Sequence, residues 1–260
     1  MSELVCETTG SGAAILRMNA PERLNAISNE MKEGLIESLT RCFLSDECPA
    51  IVITGSGGNF SAGGDIRSAW PAPEELAQSL RHRLGRLHEL IRLICCAPKP
   101  VIACVEGKAF GAGMSLAIAC DAVVASPDAQ FCAAFGRVGL IPDAGMLYTL
   151  PRRVGAARAQ HLMLSARTIA GAEALEMGVA DRLAPAVELS ACALDEARRL
   201  SGIAPLAFAA IKSLGNTGPA SLEQAFAEEL RLQPLLAMTN DNNEARAAFA
   251  QRRNPVFRGC

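Results

Sequence analysis

Two turns of small residues carry the clearest chemical signal in this 260-residue chain, Phe60–Ile66 and Ala109–Ser115. Their sequences are FSAGGDI and AFGAGMS, and each follows a short apolar segment. Because small side chains cover little of the main chain, the backbone N–H groups of such turns are open to a ligand. Two N–H groups directed at one point can bind an oxygen atom that becomes negatively charged during a reaction. The sequence therefore predicts a site where the backbone polarises a carbonyl and a separate side chain moves a proton.

Other chemistries lack their characteristic motifs. Gly10–Gly12 and Gly55–Gly58 do not complete a dinucleotide-binding fingerprint, and no phosphate-binding G-x-x-x-x-G-K-[ST] loop is present. Ala117 stands where a serine hydrolase elbow needs its last glycine. No metal-ligand spacing occurs among the three histidines, His82, His88 and His161. We therefore expect neither a metal nor a redox cofactor.

Composition excludes several classes of partner. A formal net charge of −2 and an aromatic content of 4% do not support nucleic-acid binding. The ten cysteines form no C-x-x-C motif and lie mostly in apolar runs, as free buried thiols do. Neither a signal peptide nor an apolar run of about 18 residues is evident. These features predict a protein of the reducing cytoplasm that does not bind membranes.

Periodicity divides the chain into two parts. Up to about residue 200, predicted strands alternate with helices, which favours an α/β core with buried sheets over residues 1–200. Residues 201–260 show helical patterns only, suited to oligomer contacts or to covering a site. The predicted strands are Leu4–Thr8, Ala13–Met18, Ala50–Thr54, Val101–Val105 and Ala122–Ala125. The main predicted helices are Glu30–Phe43, Glu74–Cys95, Gly111–Ala119, Arg158–Leu164, Ala172–Met177, Glu188–Leu200, Leu206–Leu214, Leu222–Met238 and Asp241–Arg252.

The order and spacing of the motifs resemble the crotonase superfamily, the enoyl-CoA hydratase/isomerase group. The resemblance covers nearly the whole chain and rests on Pro21–Ile27, Phe60–Ile66, Pro100–Ala103, Ala109–Gly113, Gly139–Gly145, Pro151–Gly155 and Ala248–Phe257. It implies a spiral of ββα units with a C-terminal helical trimerisation region, assembled as a homotrimer or hexamer. It also implies an acyl-CoA thioester substrate, with coenzyme A entering as part of that substrate. The N–H groups of Gly64 and Ala112 then match the positions of the family's oxyanion hole.

The resemblance further implies where coenzyme A binds. Adenine and pantetheine contacts in the family match the segment Leu24–Ala26 and the backbone around Ala62, Asp65 and Ile66. Two positions of the terminal helix that contact coenzyme A in relatives match Phe249 and Arg252. At the second position the relatives have a lysine, and Arg252 keeps the positive charge. The residues Trp70–Pro73 predict a loop suited to cover the acyl pocket.

The residue that moves the proton departs from the hydratase pattern. Ser115 and Phe135 stand where hydratases carry their two glutamates, and neither side chain exchanges a proton near neutral pH. Asp143 is the remaining carboxylate, and it is interpreted either as the base or as the N-cap of a following helix. An apolar wall of Phe135, Leu140 and Ile141 would raise its pKa toward the working pH. The resemblance then favours an enoyl-CoA isomerase.

Three alternatives stay open. In related aryl-CoA dehalogenases an aspartate at the Asp143 position attacks the ring, and a histidine matches His88. The replacements at Ser115, Phe135 and Met146 would also suit a catalytically silent acyl-CoA binder. A weak hydratase is the third alternative. The acyl specificity stays open, as does the choice among fatty-acid, aromatic and secondary metabolism.

Overall fold

The structure is a computed structural model that describes residues 3–65 and 72–260. Its described strands, in chain order, are β1 (Leu4–Thr8), β2 (Ala14–Met18), β3 (Ile51–Gly55), β4 (Val101–Val105), β5 (Lys108–Phe110), β6 (Ala122–Ala125), β7 (Gln130–Cys132), β8 (Thr168–Ala170) and β9 (Arg182–Leu183). Its helices are α1 (Asn29–Leu44), α2 (Pro73–Cys96), α3 (Ala112–Ala119), α4 (Met146–Val154), α5 (Ala156–Ser165), α6 (Gly171–Met177), α7 (Ala186–Ser201), α8 (Pro205–Thr217), α9 (Leu222–Ala237) and α10 (Asn240–Gln251).

The larger sheet has six strands in the order β1-β2-β3-β4-β6-β9. β1 and β2 form an antiparallel hairpin, and every other pair in this sheet is parallel. A parallel sheet is covered on both faces, so its strands are apolar throughout rather than alternating. Strand β4 shows this directly, since all five of its residues are buried.

A smaller sheet of three strands, β5-β7-β8, stands beside the first. β5 runs parallel to β7, with Phe110 opposite Cys132, and β8 is antiparallel to β7. β5 ends at Phe110 and α3 begins at Ala112, so this sheet delivers the second small-residue turn. Positioning that turn is the contribution of the smaller sheet to the site.

Helices α1 and α2 pack on each other and against the core through one face each. The N-cap of α1 is Ser28, whose hydroxyl accepts a hydrogen bond from the Met31 N–H at 3.0 Å. Met31, Leu35 and Leu39 follow at helical spacing and are completely buried. Leu90 and Ile94 bury the corresponding face of α2.

The C-terminal helices α8–α10 follow one another without an intervening strand. Helix α8 is fastened to the core by Lys212, whose Nζ lies 2.7 Å from Asp121 Oδ2 and 3.1 Å from the Lys99 carbonyl. Helix α9 differs, because none of its described residues is buried. Its exposed large apolar side chains are Leu222, Phe226, Leu230 and Leu235.

The predicted α/β core and helical C-terminal region are confirmed, with the long elements shifted by a few residues at most. Val101–Val105 and Ala122–Ala125 have the predicted bounds. Sequence analysis missed the short strands β5, β7, β8 and β9, which have two or three residues each. Strands of that length are too short to show an alternating pattern. Among the described residues, no helix is long and apolar enough to cross a membrane.

Candidate active site

The first small-residue turn is held by the segment that precedes α1. The Ala62 N–H donates to the Leu24 carbonyl at 2.9 Å, and the Ile27 N–H donates to the Gly63 carbonyl at 2.7 Å. Leu24 and Asn25 have φ angles of 52° and 54°, a left-handed conformation that non-glycine residues seldom adopt. Three hydrogen bonds with the main chain fix the buried Asn25 amide: it accepts from Ala20 N–H and donates to Ser56 and Asn59. This network compensates for the strained backbone and sets the position of the turn.

The second turn is joined to the first by the main chain. The Ser61 N–H donates to the Lys108 carbonyl at 2.8 Å, and the Phe110 N–H donates to the Ser61 carbonyl at 2.9 Å. Gly63 has a φ angle of +99°, and a Cβ atom there would lie 2.6 Å from the Phe110 oxygen and 3.3 Å from the Ala112 nitrogen. Only glycine fits that approach. The two turns therefore converge, as their composition predicts.

Convergence brings two N–H groups, those of Gly64 and Ala112, to one place. Ala112 is the first residue of α3, where backbone N–H groups have no partner within the helix. Within residues 3–65 and 72–260, neither the Gly64 N–H nor the Ala112 N–H donates to a protein acceptor. The positive end of the α3 dipole adds to the attraction of Ala112 N–H for negative charge.

Both donors line a cavity of about 380 Å³. Its lining is mostly apolar with a few polar groups, as in small-molecule sites. Its lining includes eight of the residues predicted to be catalytic or to bind substrate: Leu24, Ala26, Ala62, Gly64, Asp65, Ala112, Phe135 and Asp143. The remaining lining residues are Glu22, Arg23, Phe110, Gly111, Ala134, Arg137, Val138 and Leu140.

The Asp143 carboxyl group has an unusual environment within this cavity. Its Oδ1 atom is buried and has no hydrogen-bond partner in the described part of the chain. Burial raises the pKa of Asp143 to about 6, against a weaker opposing effect of the nearby His88. A carboxylate with a pKa near neutrality and an unused oxygen is suited to accept and return a proton.

The alternative interpretation of Asp143 as an N-cap is wrong. Helix α4 begins at Met146, and its cap position is Gly145, which makes no side-chain capping bond. Ala144 and Gly145 both have positive φ angles, 49° and 75°, so the chain turns before the helix starts. This double turn separates Asp143 from the helix and leaves its side chain at the cavity.

The predicted apolar wall is correct in part. Phe135 is 6% exposed and lines the cavity, and Leu140 lines it while remaining half exposed. Ile141 is 76% exposed and is not a lining residue, so its predicted place in the wall is wrong. Leu140 and Ile141 lie outside any helix or strand, and only the first of them reaches the cavity.

Two charged residues at the cavity form an ion pair. Arg23 Nη1 lies 3.2 Å from Asp65 Oδ2, and the same guanidinium also contacts Glu3 and Glu22. The Glu3 carboxylate in turn accepts a hydrogen bond from the Ser28 hydroxyl. Arg23 therefore links the cavity rim to the start of α1 and pairs with Asp65 there.

Two other predicted binding residues are not brought to this cavity. Phe249, on α10, is 87% exposed, and Arg252 is the exposed left-handed residue that ends that helix. Within one chain neither residue lines the cavity, so their contact with coenzyme A stays a prediction. Ile66 lies outside the described residues, as do Trp70 and Pro71 of the predicted covering loop.

Sequence analysis missed the residues that hold the turns together. Gly63 was not distinguished from its neighbour Gly64, although only Gly63 is required by close packing. The buried amide network of Asn25 depends on residues that are more than 30 positions away and leaves no local pattern in the sequence. Arg137, which lines the cavity and donates to the Ala166 carbonyl at 2.6 Å, carried no recognisable signal.

The chain is similar to known proteins along nearly its whole length. The model of the family described as enoyl-CoA hydratase/isomerase matches residues 8–260. A probable enoyl-CoA hydratase of Rhodobacter capsulatus is 37% identical over 249 residues, 95% of each chain. The 1,2-epoxyphenylacetyl-CoA isomerase of Escherichia coli K12 is 33% identical over 261 residues, 100% of each chain. The crystal structure of an enoyl-CoA hydratase from Polaromonas sp. JS666 superposes with a TM-score of 0.92 at 34% identity, covering 98% of this chain and 99% of the other.

Proposed function

We propose that this chain, which belongs to the enoyl-CoA hydratase/isomerase (crotonase) family, shifts a carbon–carbon double bond in an acyl-CoA thioester through an enolate. One observation carries the proposal. The same cavity holds a buried carboxylate oxygen of Asp143 and the N–H groups of Gly64 and Ala112, and none of the three has a hydrogen-bond partner among the described residues. Together they supply a base and an oxyanion hole without a second acid.

The proposed reaction is a proton transfer between two carbons. Asp143 removes a proton from C2 of a 3-enoyl-CoA, where the thioester carbonyl makes the C–H bond acidic. The double bond then moves from C3=C4 to C2=C3 as Asp143 returns the proton to C4. Negative charge on the thioester oxygen is stabilised by Gly64 and Ala112 N–H, each contributing about 3 kcal/mol if it acts like other oxyanion donors. This step needs no metal and no redox cofactor.

Water addition is disfavoured by the side chains at two positions. Ser115 is fully buried, and its hydroxyl lies against main-chain carbonyls rather than in the cavity lining. Phe135 presents an aromatic ring to the cavity at the other position where hydratases carry glutamate. Neither residue can activate a water molecule at neutral pH. The pair therefore supports isomerisation over hydration.

Coenzyme A and further copies of this chain are the partners that we propose. Leu24, Ala26 and Ala62 line the cavity beside Gly64, which suits a pantetheine arm leading to the thioester. Helix α9 presents apolar side chains with no buried residue, and Phe249 of α10 is also exposed. Such a surface is usually covered in an assembly. We propose a homotrimer or hexamer in which these helices contact neighbouring copies.

The test is a comparison of two substrates of equal chain length. A 3-enoyl-CoA and a 2-enoyl-CoA are each incubated with the wild-type protein and with Asp143→Ala, and products are identified by mass and by the ultraviolet absorbance of the conjugated thioester. We expect conversion of the 3-enoyl substrate without a mass change, lost in Asp143→Ala. A gain of 18 mass units on the 2-enoyl substrate at a higher rate would instead establish a hydratase. Equal isomerisation by both proteins would overturn the role of Asp143.

A second candidate function is aryl-CoA dehalogenation, favoured by one observation. His88 lies within electrostatic range of Asp143 and opposes the rise in the pKa of that carboxyl, and the dehalogenase chemistry also uses a histidine and an aspartate at these positions. Against it, Gly64 lies where the dehalogenases carry a bulky residue. Chloride release from 4-chlorobenzoyl-CoA is the discriminating assay, and we expect none.

A further inference from the structure

We propose that Ser115 is a positioning residue that holds the Asp143 main chain at a fixed place relative to the oxyanion donors. The inference rests on the proposed function of Asp143 and extends it to a residue that does not touch substrate. Ser115 lies in α3, is completely buried, and is not a lining residue of the cavity.

The Ser115 hydroxyl contacts two carbonyl oxygens. It lies 3.1 Å from the Asp143 carbonyl, 28 residues further along the chain, and 3.3 Å from the Gly111 carbonyl, one turn back in its own region. A serine within a helix ordinarily bonds the carbonyl four residues earlier. Here the Gly111 oxygen already accepts the Ser115 N–H at 3.0 Å. Since the hydroxyl has one hydrogen, it donates to one of these oxygens at a time, and the Asp143 carbonyl is the nearer of the two.

The backbone around Asp143 needs such a tether. Ala144 follows with a φ angle of 49° and Gly145 with 75°, and the left-handed alanine costs about 1 kcal/mol. The Asp143 carbonyl also accepts a hydrogen bond from Met146 N–H at 3.1 Å, within the turn itself. Of these two contacts, only the Ser115 hydroxyl connects the turn to another element. It therefore fixes where the turn lies.

Positioning through the main chain matters because the side chain has little else to orient it. Asp143 Oδ1 has no hydrogen-bond partner among the described residues. The helix that carries Ser115 also begins with Ala112, one of the two oxyanion donors. Ala112 and Ser115 are less than one helical turn apart on α3. A hydrogen bond from Ser115 to the Asp143 carbonyl therefore connects the residue that carries the base to the helix that carries an oxyanion donor. Displacement of about 1 Å in such an arrangement is enough to slow catalysis about 100-fold.

The kinetic test compares three serine substitutions. Ser115→Ala removes the hydroxyl, Ser115→Thr retains it, and Ser126→Ala removes another buried hydroxyl that has no partner among the described residues. We expect kcat for 3-enoyl-CoA isomerisation to fall about tenfold or more in Ser115→Ala with KM unchanged. Ser115→Thr should retain kcat within about threefold, and Ser126→Ala should match wild type. No loss in Ser115→Ala, or equal loss in Ser115→Thr, would overturn the proposal.

A second readout does not depend on turnover. The Asp143 carboxyl is titrated by ¹³C NMR in the wild type, Ser115→Ala and Ser126→Ala. Without the tether the carboxyl can turn toward water, so its pKa should fall from about 6 toward its ordinary range in Ser115→Ala alone. An unchanged titration would contradict the tether. If the wild type isomerises no enoyl-CoA but this shift appears, the proposed function fails and the positioning role stands.

Discussion

The oxyanion turns and the Asp143 turn reach the same cavity but are built in opposite ways. Gly63, Gly64 and Ala112 belong to backbone segments cross-linked by several main-chain hydrogen bonds and by a buried asparagine. Asp143 precedes a left-handed alanine, and its Oδ1 atom has no partner in the described part of the chain. The first region is fixed by many redundant contacts, and the second depends on burial and a few main-chain bonds.

This difference separates two aspects of function. The backbone turns specify the intermediate, because they stabilise negative charge on an oxygen whatever the acyl group is. The side chains around them specify the reaction, because they decide whether a proton, a water molecule or a ring carbon is involved. The oxyanion turns are therefore common to the family, whereas Asp143 and the side chains near it determine the individual reaction. Four predictions test this division, beginning with the largest expected effect.

Replacing the base should have the largest effect. Asp143→Asn keeps the shape of the side chain but removes its ability to accept a proton, so kcat for isomerisation should fall about 1000-fold. KM should change little, since the cavity and the donors are retained. Steady-state absorbance of the conjugated product measures both constants. Retention of more than a tenth of wild-type kcat would show that another group moves the proton.

Disturbing the convergence of the turns should have the next largest effect. A Cβ atom at Gly63 would meet the Phe110 oxygen at 2.6 Å, whereas a Cβ at Gly136 meets nothing within 4 Å. Gly63→Ala should lower kcat about 100-fold, as expected for the loss of one oxyanion donor, and should also lower thermal stability. Gly136→Ala is the matched control and should resemble wild type. Normal activity in Gly63→Ala would mean that the turns need not converge.

The pH dependence should report the Asp143 environment. Its pKa is raised to about 6, and the base acts in its deprotonated form. The constant kcat/KM should therefore be level above pH 7 and fall tenfold per pH unit below about pH 6. If kcat/KM stays level down to pH 5, the reaction is not controlled by a carboxyl whose pKa is raised by burial.

The smallest effect is a gain in stability. A carboxyl whose pKa is higher in the folded state than in the unfolded state binds more protons when folded. Its burial cost is absent below about pH 4, grows as the pH rises through about 6, and is complete at pH 7. Asp143→Asn should therefore increase the free energy of unfolding by about 2 kcal/mol at pH 7, and by much less at pH 4. Urea unfolding at the two pH values measures this, and equal stability at both would argue against a buried anion.

The sequence predicts the long elements and the small-residue turns well, because both are local patterns. Val101–Val105 is a continuous apolar run, and the glycines around Gly64 mark an uncovered backbone. The status of Asp143 could not be predicted, since a cap and a base look alike until the positions of Ala144 and Gly145 are known. The same holds for Ser115, whose contact with the Asp143 carbonyl joins residues 28 positions apart. Such contacts depend on the fold and leave no local pattern.

The most direct test of a single base follows a label from one carbon to the other. A 3-enoyl-CoA deuterated at C2 is isomerised in ordinary water, and the product is analysed for deuterium at C4. Because Asp143 Oδ1 is buried, the deuteron taken from C2 exchanges slowly with solvent, and part of the label should appear at C4. Product without any deuterium at C4 would contradict transfer by Asp143 alone and would indicate a second group or a water molecule in the proton path.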